Sequence, residues 1–142
     1  MALLIHKMSI NHTDKQKIAA VFSGVRSEKK VCPVKDIMAN YGDKWSIYSV
    51  LLLGEYERMR FSELRAGING ISQRMLTVTL RALEQDGIIS RTSHPETHAK
   101  VEYSLTELGE SLVKQLLQFA AWADVNFEKI IQARKNYTRR TE

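Results

Sequence analysis

Residues 71–105 carry the pattern that most constrains the fold of this chain. Apolar residues in ISQRMLTVTLRALEQDG recur at the spacing of an amphipathic helix, with Ser72 placed to cap its start and Gly87 to end it. Two alternating runs follow, Ile88 to Ser93 and Lys100 to Leu105, joined by the polar tip HPETHA. This order predicts one helix followed by a β-hairpin.

A shorter helix precedes this unit. Ser62 begins SELRAG, Gly67 ends it, and Asn69-Gly70 is a turn signal. Two helices joined by a tight turn and followed by a hairpin form a winged helix-turn-helix. Such a unit lays its second helix in the DNA major groove and its hairpin beside it.

Two helices are predicted at the start of the chain. Thr13 is a capping residue for a helix over Asp14 to Ser23, which Gly24 ends. Pro33 suits the first position of the next helix, which runs from Val34 to about Tyr41.

The next predicted helix is the most apolar. Asp43 caps KWSIYSVLLL and Gly54 ends it, and Arg60-Phe61 is a short stub of strand. Because this helix is apolar on nearly every side, we expect it at the centre of the core, with Trp45 buried.

A long amphipathic helix closes the chain. Thr106 caps it and the apolar pattern continues to about Lys135. Its apolar stripe is too long for one small core to cover, which favours a partner chain. The stripe consists of Leu108, Leu112, Leu116, Phe119, Ala123, Phe127 and Ile130.

Together these patterns predict a mainly α chain with a small β-hairpin wing (α+β). We divide it into an N-terminal extension with a short helix over residues 1–30, a winged helix-turn-helix domain over 31–105, and a C-terminal helix and tail over 106–142.

The helix after Ser72 has two chemically different faces. At about 100° per residue, Leu76, Leu80 and Leu83 share the side expected to be buried, flanked by Met75 and Thr79. On the other side, arginines can hold phosphates or read guanine, glutamine can read adenine, and methyl groups suit thymine. A solvated face that happens to carry two arginines is the alternative. The candidate DNA contacts are Ser72, Gln73, Arg74, Thr77, Val78 and Arg81.

The hairpin adds basic residues that suit the DNA backbone or minor groove. Arg91 and Lys100 are the candidates, whereas Glu96 at the tip opposes an anion. His94 and His98 lack an obvious third ligand, so we predict no metal site.

Charge and composition limit the classes of function. The net charge of +5 permits an anionic partner, but residues 71–105 carry four basic and four acidic groups, so any DNA surface depends on charge placement. The excess lies in residues 1–30, with six basic and two acidic groups. Apolar runs are too short for a membrane span, and phosphate-loop, zinc-protease and nucleophile motifs are absent from the sequence. We therefore predict a protein that is neither an enzyme nor membrane-bound, without a cofactor.

Cys32 is the single cysteine, which excludes an internal disulfide and favours a cytoplasmic location. It precedes Pro33 at the start of a helix, near Lys29 and Lys30, where a thiolate is favoured. An accessible thiolate can be oxidised or can pair with a second subunit, whereas a small buried core residue is the alternative.

Three segments carry a resemblance to a known family: CPVKDIMANYGDKW, RMRFSELRAGINGISQRMLTVTLRALEQDGIISR and VEYSLTELGESL. In these, which span roughly residues 31–115, the chain resembles the HxlR-type transcriptional regulators, a bacterial winged-helix family related to MarR-type regulators. The tip PETHAK departs from the Val-Pro-Pro run that often occupies the family's wing.

The resemblance implies a homodimeric, sequence-specific DNA-binding repressor or activator. By twofold symmetry its operator would be pseudo-palindromic. It implies that residues 72–86 enter the major groove, that 90–100 form the wing, and that helices near 14–23 and 106–135 build the dimer. Cys32 occupies the position used by redox- or electrophile-sensing members. A regulator that responds to a small molecule without thiol sensing, and a winged-helix module that binds protein instead of DNA, remain alternatives.

Overall fold

The computed structural model describes residues 10–26, 33–96 and 100–142. Contacts divide the chain into two compact units, Met1–Gly42 and Asp43–Glu142. The described helices do not combine the length and apolar character needed to cross a membrane.

The first unit contains α1 (His12–Arg26) and α2 (Pro33–Tyr41). The backbone N–H of Asp14 donates to the side-chain oxygen of Asn11 at 2.8 Å, so α1 begins before the predicted cap at Thr13. It also continues through Gly24, where the sequence predicted its end. In α2, proline occupies the first position, as predicted.

The second unit begins with α3 (Lys44–Tyr56). The Asp43 carboxylate caps it, accepting from the Ser46 backbone N–H at 3.0 Å and from the Ser46 hydroxyl at 2.7 Å. The predicted end at Gly54 is wrong, because α3 continues to Tyr56; a Cβ at Gly54 would lie in ordinary contact with Val113 of the last helix, at 3.4 Å. A backbone turn at Glu57, with φ of 60°, follows the helix instead.

The expectation that Trp45 is buried is also wrong. Its side chain is half-buried near the start of α3, and the Lys44 ammonium lies 4.4 Å from the centre of its ring. A cation over an indole face is attracted by the ring, which fits a tryptophan at the edge of the core.

The helix-turn-helix follows a two-residue strand, β1 (Arg58–Met59), which lies two residues before the predicted stub. Helix α4 (Phe61–Gly67) begins where the Arg60 N–H donates to the Glu63 carboxylate at 2.9 Å. The turn contains Gly70 with φ of +83°, a conformation that favours glycine, and α5 (Gln73–Gln85) follows.

The predicted hairpin is confirmed, with β2 (Ile89–His94) antiparallel to β3 (Lys100–Leu105). Strand β1 also pairs with β3, which gives a three-stranded sheet in the order β1-β3-β2. Gly87, with φ of +72°, turns the chain from α5 into β2.

The last helix, α6 (Glu107–Thr141), is capped by the Thr106 hydroxyl, which accepts from the Gly109 N–H at 3.1 Å. It ends beyond the predicted limit near Lys135 and is about 52 Å long at 1.5 Å per residue. Thr106 also ties this helix to the end of α5. Its N–H donates to the Ile88 carbonyl at 3.1 Å, and its hydroxyl lies within hydrogen-bond distance of the Gly87 and Ile88 carbonyls.

The core of the second unit lies where α3, α4 and α5 meet the sheet. Its fully buried side chains are mainly leucines, and the three leucines predicted for the inner face of α5 are among them. The mainly α fold with a hairpin wing is thereby confirmed. The largest of these buried side chains are Leu53, Leu64, Leu76, Leu80, Leu83 and Ile89.

Candidate nucleic-acid interface

Helix α5 is the centre of the candidate interface. Its start is fixed by the Ser72 hydroxyl, which accepts from the Met75 N–H at 3.0 Å, as the sequence predicted. The cap leaves Gln73 and Arg74 exposed in the first turn, at the end of the helix where free N–H groups favour an anion.

The two faces of α5 are close to those predicted. Leu76, Leu80 and Leu83 are fully buried, and Thr79 is only 5% exposed, so its methyl group belongs to the core. The expectation that Met75 flanks the buried side is corrected, because 40% of its surface is exposed. A helical angle alone does not say how far neighbouring elements reach around the helix.

The outer face of α5 carries the predicted candidates, with one restriction. Arg74 and Arg81 are exposed, and Val78 is 55% exposed. Thr77 is half-buried, and its hydroxyl donates to the Gln73 carbonyl at 2.9 Å. Because the hydroxyl proton is used within the helix, Thr77 can offer a methyl group or an acceptor to a ligand but no hydroxyl donor.

The register of the hairpin separates the two predicted basic contacts of the wing. Arg91 pairs with Tyr103, and His94 pairs with Lys100. Directly paired residues share a face and successive residues alternate, so Arg91 and Lys100 lie on opposite faces of the sheet. The Arg91 face also carries the buried Ile89 and is the face that packs against α5.

On the other face, Lys100 is already paired. Its ammonium lies 2.8 Å from the Glu102 carboxylate, and the His94 ring lies 3.5 Å from the same carboxylate. The hydrogen bond from Lys100 lowers the pKa of Glu102, and the nearby charges of His94 and Arg58 act in the same direction. A phosphate would therefore have to compete with Glu102 for Lys100.

A cleft of about 340 Å³ opens between α5 and the Arg91 face of the sheet. It is lined by residues from α4, α5 and two strands, among them three predicted DNA contacts, Thr77, Arg81 and Arg91. The aromatic residues Phe61 and Tyr103 were missed, because tertiary packing brings the start of α4 to the cleft and strand register places Tyr103 beside Arg91. The lining residues are Phe61, Thr77, Leu80, Arg81, Glu84, Arg91 and Tyr103.

The predicted thiol site at Cys32 and the wing histidine His98, for which no metal site was predicted, lie outside the described residues. Within residues 10–26, 33–96 and 100–142, the structure brings together no group of three histidine, cysteine or acidic side chains that could hold a metal.

Comparison with known proteins supports the helix-turn-helix assignment. The family model for HxlR-like helix-turn-helix proteins matches residues 40–131. The Escherichia coli HTH-type transcriptional regulator YtfH, whose function is uncharacterised, is 36% identical over 103 residues, which cover 72% of this chain and 81% of that protein.

Solved structures give the same assignment. The proposed transcriptional regulator YtfH from Salmonella typhimurium aligns with a TM-score of 0.66 at 34% identity, over 77% of this chain and 95% of that one. The reduced form of the redox regulator HypR aligns with a TM-score of 0.61 at 37% identity, over 70% and 98%. The chain therefore belongs to the HxlR-like helix-turn-helix family of transcriptional regulators.

Proposed function

We propose that this regulator binds a pseudo-palindromic DNA operator as a homodimer, with α5 in the major groove and the β2–β3 hairpin at the backbone or minor groove. The observation that carries the proposal is the outer face of α5. Gln73, Arg74, Val78 and Arg81 are exposed together on a helix whose other face is fixed in the core.

The chemistry of this face matches a duplex. Arginine can donate two parallel hydrogen bonds to guanine, glutamine can do so with adenine, and the valine methyl groups suit a thymine methyl. Ser72 lies at the helix N-terminus, where backbone N–H groups favour a phosphate. On the wing, Arg91 and Lys100 would reach phosphates from opposite faces of the sheet.

Binding can be tested by retention of genomic fragments at increasing salt. Phosphate contacts release counterions, so affinity should fall steeply between about 50 and 200 mM salt. Arg74→Ala should weaken retention without lowering the melting temperature, because this side chain is exposed. Lys114→Ala, which removes an exposed cation on α6, is the matched control. Retention that does not weaken over this range would count against phosphate contacts, and a lack of any retention would favour the protein-interaction module.

Exposed apolar side chains on α6 support the homodimer. Leu108, Phe119 and Phe127, which belong to the predicted apolar stripe, are each more than half exposed. The rings of Phe119 and Trp122 stack with centroids 6.2 Å apart. An apolar stripe that is left exposed along one side of a helix marks an interaction site. Analytical ultracentrifugation should therefore give twice the mass of one chain. Twofold symmetry would then place half-sites about one DNA turn, 34–36 Å, or a multiple apart.

We propose the division into an N-terminal extension over 1–30, a DNA-binding domain over 31–105 and a dimerisation helix over 106–142. The similarity to HypR, a redox regulator, favours a signal received at Cys32. Cys32→Ser should then abolish the change in DNA binding caused by an oxidant or a quinone. A response that survives this substitution would favour a regulator that senses a small molecule elsewhere.

A further inference from the structure

The cleft between α5 and the sheet holds two arginines from different elements. Arg81 comes from α5, and Arg91 comes from β2, where it pairs with Tyr103 of β3. These three residues therefore face one space although they are up to 22 positions apart in the chain.

Neither arginine forms an ion pair with another described residue. In the part of the chain that the structure describes, no carboxylate lies within ion-pair distance of Arg81 or Arg91, and the two ion pairs found involve Lys100 and His94 with Glu102 on the opposite face of the sheet. Glu84 also lines the cleft, so the two arginines and this glutamate together leave one net positive charge. That charge matches one phosphodiester group, which carries a single negative charge.

The hydrogen-bonding groups also fit a phosphate. A guanidinium has five N–H donors in a planar fork, and each arginine can present two of them to phosphate oxygens. The Tyr103 hydroxyl can add one more donor, whereas the hydroxyl proton of Thr77 is already given to the Gln73 carbonyl. The cleft thus offers donors from both the helix and the wing.

We infer that this cleft binds one backbone phosphate of the DNA, held jointly by Arg81 and Arg91 with Tyr103 as a third donor. The inference rests on the proposed DNA binding and makes it more specific. Arg81 then grips the backbone instead of reading guanine, and base readout falls to Gln73, Arg74 and Val78. One phosphate held from both elements also fixes the distance of the wing from the recognition helix on DNA.

The position of the cleft favours a phosphate over a base edge. Base edges lie on the floor of the groove, under the outer face of a recognition helix, whereas phosphates line the rim beside it. The cleft lies beside α5, between the helix and the wing, where the rim passes if α5 occupies the groove.

The inference can be tested with duplexes in which single phosphates are replaced by neutral methylphosphonates. Arg81→Ala and Arg91→Ala should each lower affinity about tenfold, the size expected for a charged hydrogen bond. The loss should be similar for operator and random DNA. One methylphosphonate position per half-site should weaken the wild-type protein by a similar factor, and on that duplex neither substitution should weaken binding further.

Arg58→Ala is the matched control, because it removes an exposed arginine from the opposite face of the same sheet. It should remain sensitive to the same methylphosphonate. Tyr103→Phe keeps the ring and removes only the hydroxyl, so it should lose a few-fold in affinity that the same methylphosphonate abolishes. Thermal melting of each variant at one protein concentration separates a lost contact from a lost fold.

Two results would overturn the shared phosphate while leaving the proposed function standing. The two arginine substitutions could be silenced by methylphosphonates at different positions, or Arg81→Ala could change base preference at one position of the operator. If the wild-type protein retained no DNA at any salt concentration, the proposed function itself would fail, and the phosphate site with it.

Discussion

Replacing Gly109 with alanine sets two opposing effects against each other. In a helix interior, alanine is more stable than glycine by about 1 kcal/mol, so helix propensity alone predicts a more stable protein. Gly109, however, is the one buried position that the structure records on α6, and a Cβ there would press into the backbone carbonyl of Ile88. It would also lie 3.0 Å from a methyl carbon of Leu105.

The steric cost should exceed the gain in propensity. Overpacking costs about 1–3 kcal/mol, and here the obstacle is a backbone atom that cannot rotate away. The Ile88 carbonyl also accepts from the Thr106 N–H at 3.1 Å, and a weakened hydrogen bond adds about 1 kcal/mol. We expect Gly109→Ala to lose about 1–3 kcal/mol of unfolding free energy net, and to lower the melting temperature by roughly 3–10 °C.

Urea denaturation followed by circular dichroism, at one fixed protein concentration, measures this difference. Gly54→Ala is the matched control, because it is also a helical glycine in the α3–α6 contact, but its added Cβ would meet only side chains, Val113 at 3.4 Å and Leu105 at 3.7 Å. That variant should be unchanged or slightly more stable. If Gly109→Ala were equally or more stable than the wild type, the close approach of α6 to Ile88 would be wrong.

Three further predictions concern α5 and the wing. Leu76→Ala should lower the unfolding free energy measured in urea by about 2–5 kcal/mol, because the side chain is fully buried. Val78→Ala on the exposed face should change it by no more than about 0.5 kcal/mol. Similar losses for the two variants would contradict the assignment of the faces. Ser72→Ala removes the helix cap and should lower the unfolding free energy by about 1 kcal/mol. An unchanged urea midpoint would argue against a stabilising role of this cap. Because the pKa of Glu102 is lowered, its pair with Lys100 stabilises the wing above the ordinary pKa of glutamate, and this stabilisation is lost as pH falls through the lowered value. Amide exchange in β3 should show this acid response in the wild type and not in Glu102→Gln. An identical response in both proteins would exclude the pair as its cause.

Local chemistry made several helix starts predictable from the sequence. Asp43, Ser72 and Thr106 each accept from a backbone N–H three residues later, which depends only on neighbouring residues. The prediction that Thr13 caps α1 was wrong because Asn11, another good capping residue, lies two positions earlier. Sequence alone does not choose between two such residues when both can start a helix.

Glycine was the least predictable residue type, because its role depends on distant neighbours. Gly87 ends α5 with a positive φ, as predicted. Gly54 has the same local appearance, yet it lies inside α3 where α6 packs closely. The approach of two helices 59 positions apart, Gly54 to Val113, leaves no mark in the local pattern.

The candidate site was partly predictable for a similar reason. The buried and exposed faces of α5 followed from helical spacing, since Leu76, Leu80 and Leu83 recur on one side. The wing did not follow, because a shift of one residue in strand pairing would reverse which face carries Arg91 and which carries Lys100. Only the observed register joins Arg91 to the cleft beside α5.

The tie between Thr106 and the end of α5 fixes the start of α6, which would be the pivot of any tilt of that helix. Because α6 extends about 52 Å from this point, a tilt of about 5° at the pivot displaces its far end by about 4–5 Å. The same leverage acts in reverse, so a displacement of several ångströms at the far end turns the pivot by only a few degrees. In a dimer joined through α6, a large movement far from the DNA would therefore change the separation of the two recognition helices only slightly.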